Sequence, residues 1–187
     1  MTWTQRALFG FGFLALGYCA LIYSNSWLYQ RHELEEFDRS LASPSSDVKS
    51  HSPTVDGLIG RLDIARLGVS VILLEGTGTA TLQRAVGHIE GTALPGQPGN
   101  VGFAGHRDTF FRPLRNIRQN DLIALTTVSG EYRYRVVSTR IVPPSQVDVL
   151  APGKSEVLTL VTCYPFYYIG SAPDRFIVRA ERIAPVQ

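Results

Sequence analysis

The chain has 187 residues, of which 44% are hydrophobic, and its formal net charge is only +2. This length supports one domain with its own core, and the small charge argues against the basic surface that nucleic-acid binding requires. The sequence contains no Cys-x-x-Cys or His-x-x-x-His cluster, the usual signature of a zinc site, so we expect no metal, cofactor or nucleic-acid partner.

The N-terminal stretch from residue 7 to residue 30 carries no charged side chain. As a helix, it is long enough to cross a hydrocarbon core of about 30 Å. Trp3 lies near one end and Trp27 near the other, as aromatic residues do at membrane interfaces. A cleaved signal peptide is the alternative, but its apolar core is usually only about 7–15 residues long. We therefore expect residues 1–30 to be a tail and a single-pass transmembrane anchor, with the amino terminus in the cytoplasm.

A polar connection follows the anchor. Residues 31–41 can continue the helix as a charged extension, whereas residues 40–54 are rich in Ser and Pro and too polar to pack a core. The sequence therefore predicts a linker over residues 31–56 and a folded domain over residues 57–187.

Short strands dominate the predicted domain. Candidate strands cover residues 58–64, 69–76, 100–106, 121–128, 131–139, 140–142, 157–162 and 175–183. Residues 79–86 are predicted to form a short helix, and Ser129-Gly130 indicates a hairpin turn. A parallel α/β sheet needs long crossover helices, which this pattern lacks. The pattern therefore predicts an all-β barrel or sandwich.

The chemistry of the domain centres on Cys163, which follows a predicted strand and is the only cysteine besides Cys19 of the N-terminal stretch. An unpaired thiol can be a nucleophile, although a buried cysteine is often only a small apolar residue. His106 follows an earlier strand and could shuttle a proton. Arg175 begins a later strand and could bind a developing oxyanion, but Arg179 lies on the same face and competes for that role.

The residues around these three side chains resemble those of a known family. Residues 159–163 read Thr-Leu-Val-Thr-Cys, which is similar to the TLxTC motif of the sortases. Gly105-His106 resembles the family's histidine site, and residues 174–178 resemble the strand that carries its arginine. The separations of 57 and 12 positions between His106, Cys163 and Arg175 also fit. The resemblance covers residues 57–184, and residues 99–111 are most similar to class D.

The resemblance implies the sortase fold, an eight-stranded closed β-barrel with short helices, preceded by one transmembrane helix. It implies that Cys163 attacks the Thr carbonyl of an LPxTG-type sorting signal on an exported protein and forms a thioacyl-enzyme. An amine acceptor, a cell-wall precursor or a pilin, would then resolve this intermediate. His106 would be the acid/base, and Arg175 the oxyanion and substrate clamp. The enzyme would lie at the cell membrane, with its catalytic domain outside the cytoplasm.

Two other functions stay open on the sequence alone. The protein could be a cysteine peptidase that only hydrolyses, or a non-catalytic membrane-tethered barrel that binds a peptide or wall ligand. Among the smaller residues, Thr162 either shapes the acyl site or is an ordinary strand residue. Asp108 could orient a neighbour or stabilise a turn, and His88 is expected to be structural. The aromatic segment 164–172 could line a peptide groove, pack over the barrel, or do both.

Overall fold

The computed structural model describes residues 2–42 and 57–183, so most of the predicted Ser/Pro-rich linker lies outside the described residues. These described residues contain two α-helices, α1 (Trp3–Ala42) and α2 (Thr79–Arg84). The strands are β1 (Leu58–Ile64), β2 (Val69–Glu75), β3 (Val86–His88), β4 (Asn100–Ala104), β5 (Leu122–Thr127), β6 (Gly130–Val142), β7 (Val157–Tyr164) and β8 (Asp174–Arg182). Short 3-10 turns cover Ala65–Leu67, Arg112–Asn116 and Val147–Leu150.

The eight strands close into a barrel in the order β1-β2-β3-β4-β7-β8-β6-β5. Two neighbouring pairs, β2–β3 and β4–β7, are parallel, and the other six are antiparallel. Among the described strands, closure leaves no unpaired sheet edge. The predicted eight-stranded closed β-barrel is therefore confirmed.

Strand alternation divides the barrel into an apolar interior and a mixed outer face. Leu158 and Leu160 of β7 and Val178 of β8 are fully buried in the central core cluster. A fully buried side chain of this kind stabilises the fold by about 1.5–3 kcal/mol. Because alternate residues face opposite sides of a strand, Cys163 and Arg175 are directed to the outer face.

Two predicted elements differ from the structure. The predicted helix at residues 79–86 ends at Arg84, and Val86–His88 form the short strand β3. Three residues are too few to display alternation, and a Cβ on Gly87 would come within 2.3 Å of the Gly76 carbonyl oxygen. The two strands predicted at 131–139 and 140–142 form the single strand β6, which is irregular between Val136 and Ser138.

The C-terminal part of α1 is docked on the barrel. Gln30 donates to the Arg84 carbonyl oxygen at 2.6 Å and accepts from the Ile72 amide at 3.0 Å. Farther along α1, Asp38 forms an ion pair with Arg61 of β1 at 2.6 Å. The charged extension predicted at residues 31–41 is therefore helical, and together with Gln30 it packs against β1, β2 and α2.

The N-terminal part of α1 is exposed. Large apolar side chains such as Phe11, Phe13 and Leu16 are each about 70% accessible, at 75%, 73% and 69%. Within the described residues, no helix combines the length and the hydropathy needed to cross a bilayer. The predicted anchor also includes residues 22, 23 and 25–27, whose side chains lie outside the described set.

Candidate active site

Strands β7 and β8 bring the predicted nucleophile next to one of the predicted arginines. Cys163 lies directly opposite Arg175 in the antiparallel pair, so the two side chains share the outer face. Arg179 lies opposite Thr159 instead, four residues along β7 from the cysteine. At about 3.3 Å per residue, this separation is roughly 13 Å. Of the two arginines left open by the sequence, Arg175 is therefore the one beside the thiol.

The end of β4 brings His106 to the same place. Strand β4 runs parallel to β7, with Ala104 opposite Val161. The Gly105 amide donates to the Val161 carbonyl oxygen at 3.1 Å, and the Thr162 hydroxyl donates to the Gly105 carbonyl oxygen at 2.7 Å. Both backbone groups of the residue before His106 are thus bonded to the strand that carries the cysteine. Thr162 is buried and braces this backbone, so it acts beneath the site and does not line it.

Gly105 is also fixed by sterics. A Cβ at this position would lie 2.8 Å from the Phe111 ring, which is closer than real Cβ contacts allow. Phe111 is fully buried, and its amide donates to the His106 carbonyl oxygen at 3.1 Å. The turn after His106 is therefore closed over an aromatic ring that leaves room only for glycine.

The three predicted site residues meet around one cavity of about 300 Å³. His106 is exposed, while Cys163 and Arg175 are half-buried, so a peptide in the cavity can reach all three. The residues that line the cavity are His106, Arg107, Asp108, Cys163, Gly170, Ser171, Ala172 and Arg175.

Arg175 is held by the backbone that begins β8. Its Nη1 donates to the carbonyl oxygens of Asp174 at 2.9 Å and Ala172 at 3.3 Å. Within the described part of the chain, its other guanidinium nitrogens have no hydrogen-bond acceptor. They remain available as donors to a substrate carbonyl that develops negative charge.

Arg107 ties the histidine segment to the β7–β8 loop, a role that sequence reasoning missed. Its Nη2 donates to the carbonyl oxygens of Tyr168 at 2.7 Å and Gly170 at 2.9 Å. Arg115 supports the same loop, because its Nη1 donates to the Tyr167 hydroxyl at 2.6 Å. The acceptors lie more than fifty positions away in the chain, so no local sequence pattern could have identified them.

The aromatic segment after Cys163 has both of the expected roles. Tyr164 and Phe166 pack with Phe176 of β8, at ring-centroid distances of 5.3 to 6.3 Å. Gly170, Ser171 and Ala172, at the other end of the segment, instead line the cavity. The first part of the segment therefore packs on the barrel, and the second forms a wall of the site.

Two smaller predicted residues differ in their relation to the site. Asp108 lines the cavity but makes no hydrogen bond to His106 or Arg107 in the described structure. His88 lies in the barrel wall, where Nδ1 contacts Glu75 at 3.0 Å and Nε2 contacts the Thr92 hydroxyl at 2.9 Å. His88 is therefore structural, as expected.

One group of side chains in the described residues could hold a metal ion. His32, Glu33 and Glu36 offer ligand atoms within 4.8 Å of one another on α1. None of the three lines the cavity, so they are not part of the candidate active site.

Comparisons with known proteins agree with this geometry. A family model described as the Sortase domain matches residues 62–183. Sortase D of Bacillus subtilis is 33% identical over 135 residues, which cover 72% of this chain and 68% of the relative. Sortase A of Listeria monocytogenes is 30% identical over 112 residues, covering 58% of this chain and 50% of that relative.

Solved structures give the same assignment. The Clostridium perfringens Sortase D5 transpeptidase superposes with a TM-score of 0.71 at 29% identity, over 83% of this chain and 99% of that one. Sortase A from Corynebacterium diphtheriae superposes with a TM-score of 0.65 at 31% identity, over 70% of this chain and 62% of that one. The chain therefore belongs to the sortase family of cysteine transpeptidases, and within that family it resembles class D.

Proposed function

We propose that this enzyme cleaves an LPxTG-type sorting signal on exported proteins and joins the cleaved protein to an amine acceptor, a cell-wall precursor or a pilin. The observation that carries the proposal is the meeting of His106, Cys163 and Arg175 around one open cavity. Cysteine chemistry needs a sulfur nucleophile, a proton shuttle and a donor to the oxyanion, and these three residues supply them.

In the first half of the reaction, the Cys163 sulfur attacks the carbonyl carbon of the signal's Thr, and His106 holds the thiol proton. The carbonyl oxygen becomes an anion, which accepts hydrogen bonds from the guanidinium of Arg175. Collapse of this intermediate breaks the C–N bond. The leaving amine takes the proton from His106, and the acyl group stays on sulfur as a thioester.

The second half reverses these roles. The acceptor amine attacks the thioester carbonyl, and His106 takes the proton that the amine loses. Sulfur then leaves and recovers the proton, which restores the free enzyme. Arg175 is suited to the oxyanion in both halves because a guanidinium group carries a positive charge and offers several N–H donors.

The direct test uses the full chain in detergent with a labelled LPxTG peptide, with and without an oligoglycine amine. We expect a ligated product that requires the amine, and an acyl adduct on Cys163 by mass spectrometry. The Cys163→Ala variant should lose at least about 10⁴-fold in rate, as nucleophile removal does in well-studied proteases. Cys19→Ala is the matched control, because Cys19 lies exposed on α1 and should not be needed.

The outcomes separate the alternatives. Cleavage without any amine-dependent product would identify a cysteine peptidase that only hydrolyses. Peptide binding without cleavage would identify a non-catalytic barrel. Cleavage that survives Cys163→Ala would refute the mechanism altogether.

The location of the enzyme is part of the proposal. The uncharged stretch 7–30 and the exposed apolar side chains of α1 support attachment to the cell membrane. The short tail before this stretch can stay in the cytoplasm, which favours a barrel outside it. Membrane fractions washed with carbonate should retain the full chain, and protease added to intact protoplasts should digest the barrel. Release of the chain by carbonate, or protection of the barrel, would contradict this placement.

A further inference from the structure

A second, smaller pocket lies on the same outer face of the barrel as the candidate active site. Its volume is about 20 Å³, which is room for one water-sized group. Strands β6, β7 and β8 and the 3-10 turn Val147–Leu150 form its walls. Its lining residues are Ser138, Arg140, Val149, Thr159, Ile177 and Arg179.

Two arginines face this pocket without a carboxylate partner. Arg179 lies opposite Ser138, and Arg140 lies opposite Ile177, so the two arginines are diagonal neighbours on one face. In the described part of the chain, neither Arg140 nor Arg179 forms an ion pair with a carboxylate. Other arginines do have carboxylate partners: Arg61, Arg66, Arg133 and Arg182.

Two neighbouring cations repel each other, and an anion between them removes the repulsion and gains charge-assisted hydrogen bonds. The floor of the pocket is closed, because Thr159 is fully buried and donates its hydroxyl to the Asn100 side chain at 2.7 Å. A carboxylate oxygen would therefore fill the water-sized pocket that both arginines line. The chemistry of the pocket fits a carboxylate.

The distance between the pocket and Cys163 indicates which residue of the substrate would carry this carboxylate. Thr159 and Cys163 share the outer face of β7 and lie roughly 13 Å apart, at about 3.3 Å per residue. An extended peptide has the same spacing, so a residue four positions from the Thr at Cys163 reaches the pocket. His106 and the β7–β8 loop lie beyond the end of β7, on the opposite side of the cysteine from the pocket.

This arrangement also fixes the direction of the peptide. His106 must reach both the leaving amine and the incoming amine, so both occupy the side of Cys163 where His106 lies. The acyl part of the substrate then runs back along β7 toward Thr159. Four positions before the Thr of an LPxTG signal is the residue that directly precedes its Leu.

We propose that Arg140 and Arg179 form a subsite for a carboxylate on the acyl part of the substrate, so that the enzyme prefers an acidic residue directly before the Leu of its sorting signal. The proposal rests on the proposed function and names a substrate feature of the same site. It also gives Arg179 a role, although it is too far from Cys163 to serve the oxyanion.

The test compares two LPxTG peptides that differ only in Glu or Gln before the Leu, with the full chain as enzyme. We expect kcat/KM to be about tenfold higher for the Glu peptide at low salt, and the difference to shrink at high salt. Replacing both arginines, Arg140→Gln with Arg179→Gln, should erase the preference. The matched control is Arg135→Gln, which removes an exposed arginine from the same strand outside the pocket and should keep the preference.

Three results decide the matter. Equal kcat/KM for the Glu and Gln peptides overturns the proposal, and so does a gain from Glu placed four positions after the Thr. If no peptide is cleaved, the proposed function fails, and the subsite is judged by binding of the same two peptides to Cys163→Ala. Tighter binding of the Glu peptide then supports the subsite, and equal binding contradicts it.

Discussion

The contact between Gly105 and Phe111 makes a quantitative prediction about how the histidine is placed. In the Gly105→Ala variant, the new Cβ would lie 2.8, 3.0 and 3.1 Å from three atoms of the Phe111 ring. The ring is fully buried and cannot swing into solvent, so the backbone or the ring must shift. Overpacking of this kind costs about 1–3 kcal/mol. For a chain of this size, this corresponds to a fall in Tm of about 2–4 °C per kcal/mol.

A double-mutant cycle isolates this clash. Phe111→Val removes the ring atoms that the new Cβ would meet. It should destabilise the fold by less than Phe→Ala substitutions usually do, which is about 3–5 kcal/mol. In the Val background, Gly105→Ala should cost almost nothing, which gives a coupling energy of about 1–3 kcal/mol. Urea denaturation of the four proteins measures it, and peptide cleavage should fall more in Gly105→Ala than in the double variant. Equal costs of Gly105→Ala in both backgrounds would refute the steric argument.

Three further predictions concern the surroundings of the site and the stability of the barrel. Arg107→Gln should raise KM for the signal peptide about tenfold, with a smaller change in kcat, because the wall of the cavity loses its hydrogen bonds to the loop; a fall in kcat alone would contradict a positioning role. Thr162→Val leaves the buried Gly105 carbonyl oxygen without its donor and should cost about 1–2 kcal/mol of unfolding free energy, whereas Thr162→Ser should cost less; equal urea midpoints would contradict this. Hydrogen bonds from Arg66 lower the pKa of Asp121 below its ordinary value of 3.8, against the opposing effect of burial. At pH values above the ordinary pKa, the Asp121 carboxylate therefore stabilises the fold, and this stabilisation is lost as the pH falls through the lowered pKa. Asp121→Asn should make Tm depend less on pH at the acid end of a Tm–pH profile. An unchanged profile would contradict this prediction.

Local patterns predicted the catalytic strands well, for a physical reason. Thr159 to Cys163 form an apolar run in a buried strand, and strand alternation directs the terminal thiol outward next to the first residues of β8. The sequence placed Arg175 and Arg179 on one face, and that is correct. Alternation alone could not say which of them lies opposite Cys163, because that depends on the register between two strands.

Features that depend on distant contacts could not be predicted. Arg107 finds its acceptors in a loop 61 and 63 positions away. β3 is too short to display a period, and its pairing with β2 and β4 is what makes it a strand. Gln30 gave no sign that it would bond the Ile72 amide, because a polar residue at the end of an apolar stretch is ordinarily interpreted as a surface residue.

The docking of α1 has a practical consequence for producing the protein. Ile72, Leu74 and Ala85 form a small apolar cluster on the outside of the barrel, and Tyr29 and Leu34 of the helix cover it. A recombinant chain that begins at residue 57 would keep every strand of the barrel but expose this cluster to water, which favours aggregation. A recombinant chain that begins near residue 28 would omit most of the exposed apolar stretch and retain the cover. A recombinant chain that begins at residue 57, as the strands alone would suggest, is therefore the poorer choice for a soluble, monodisperse sample.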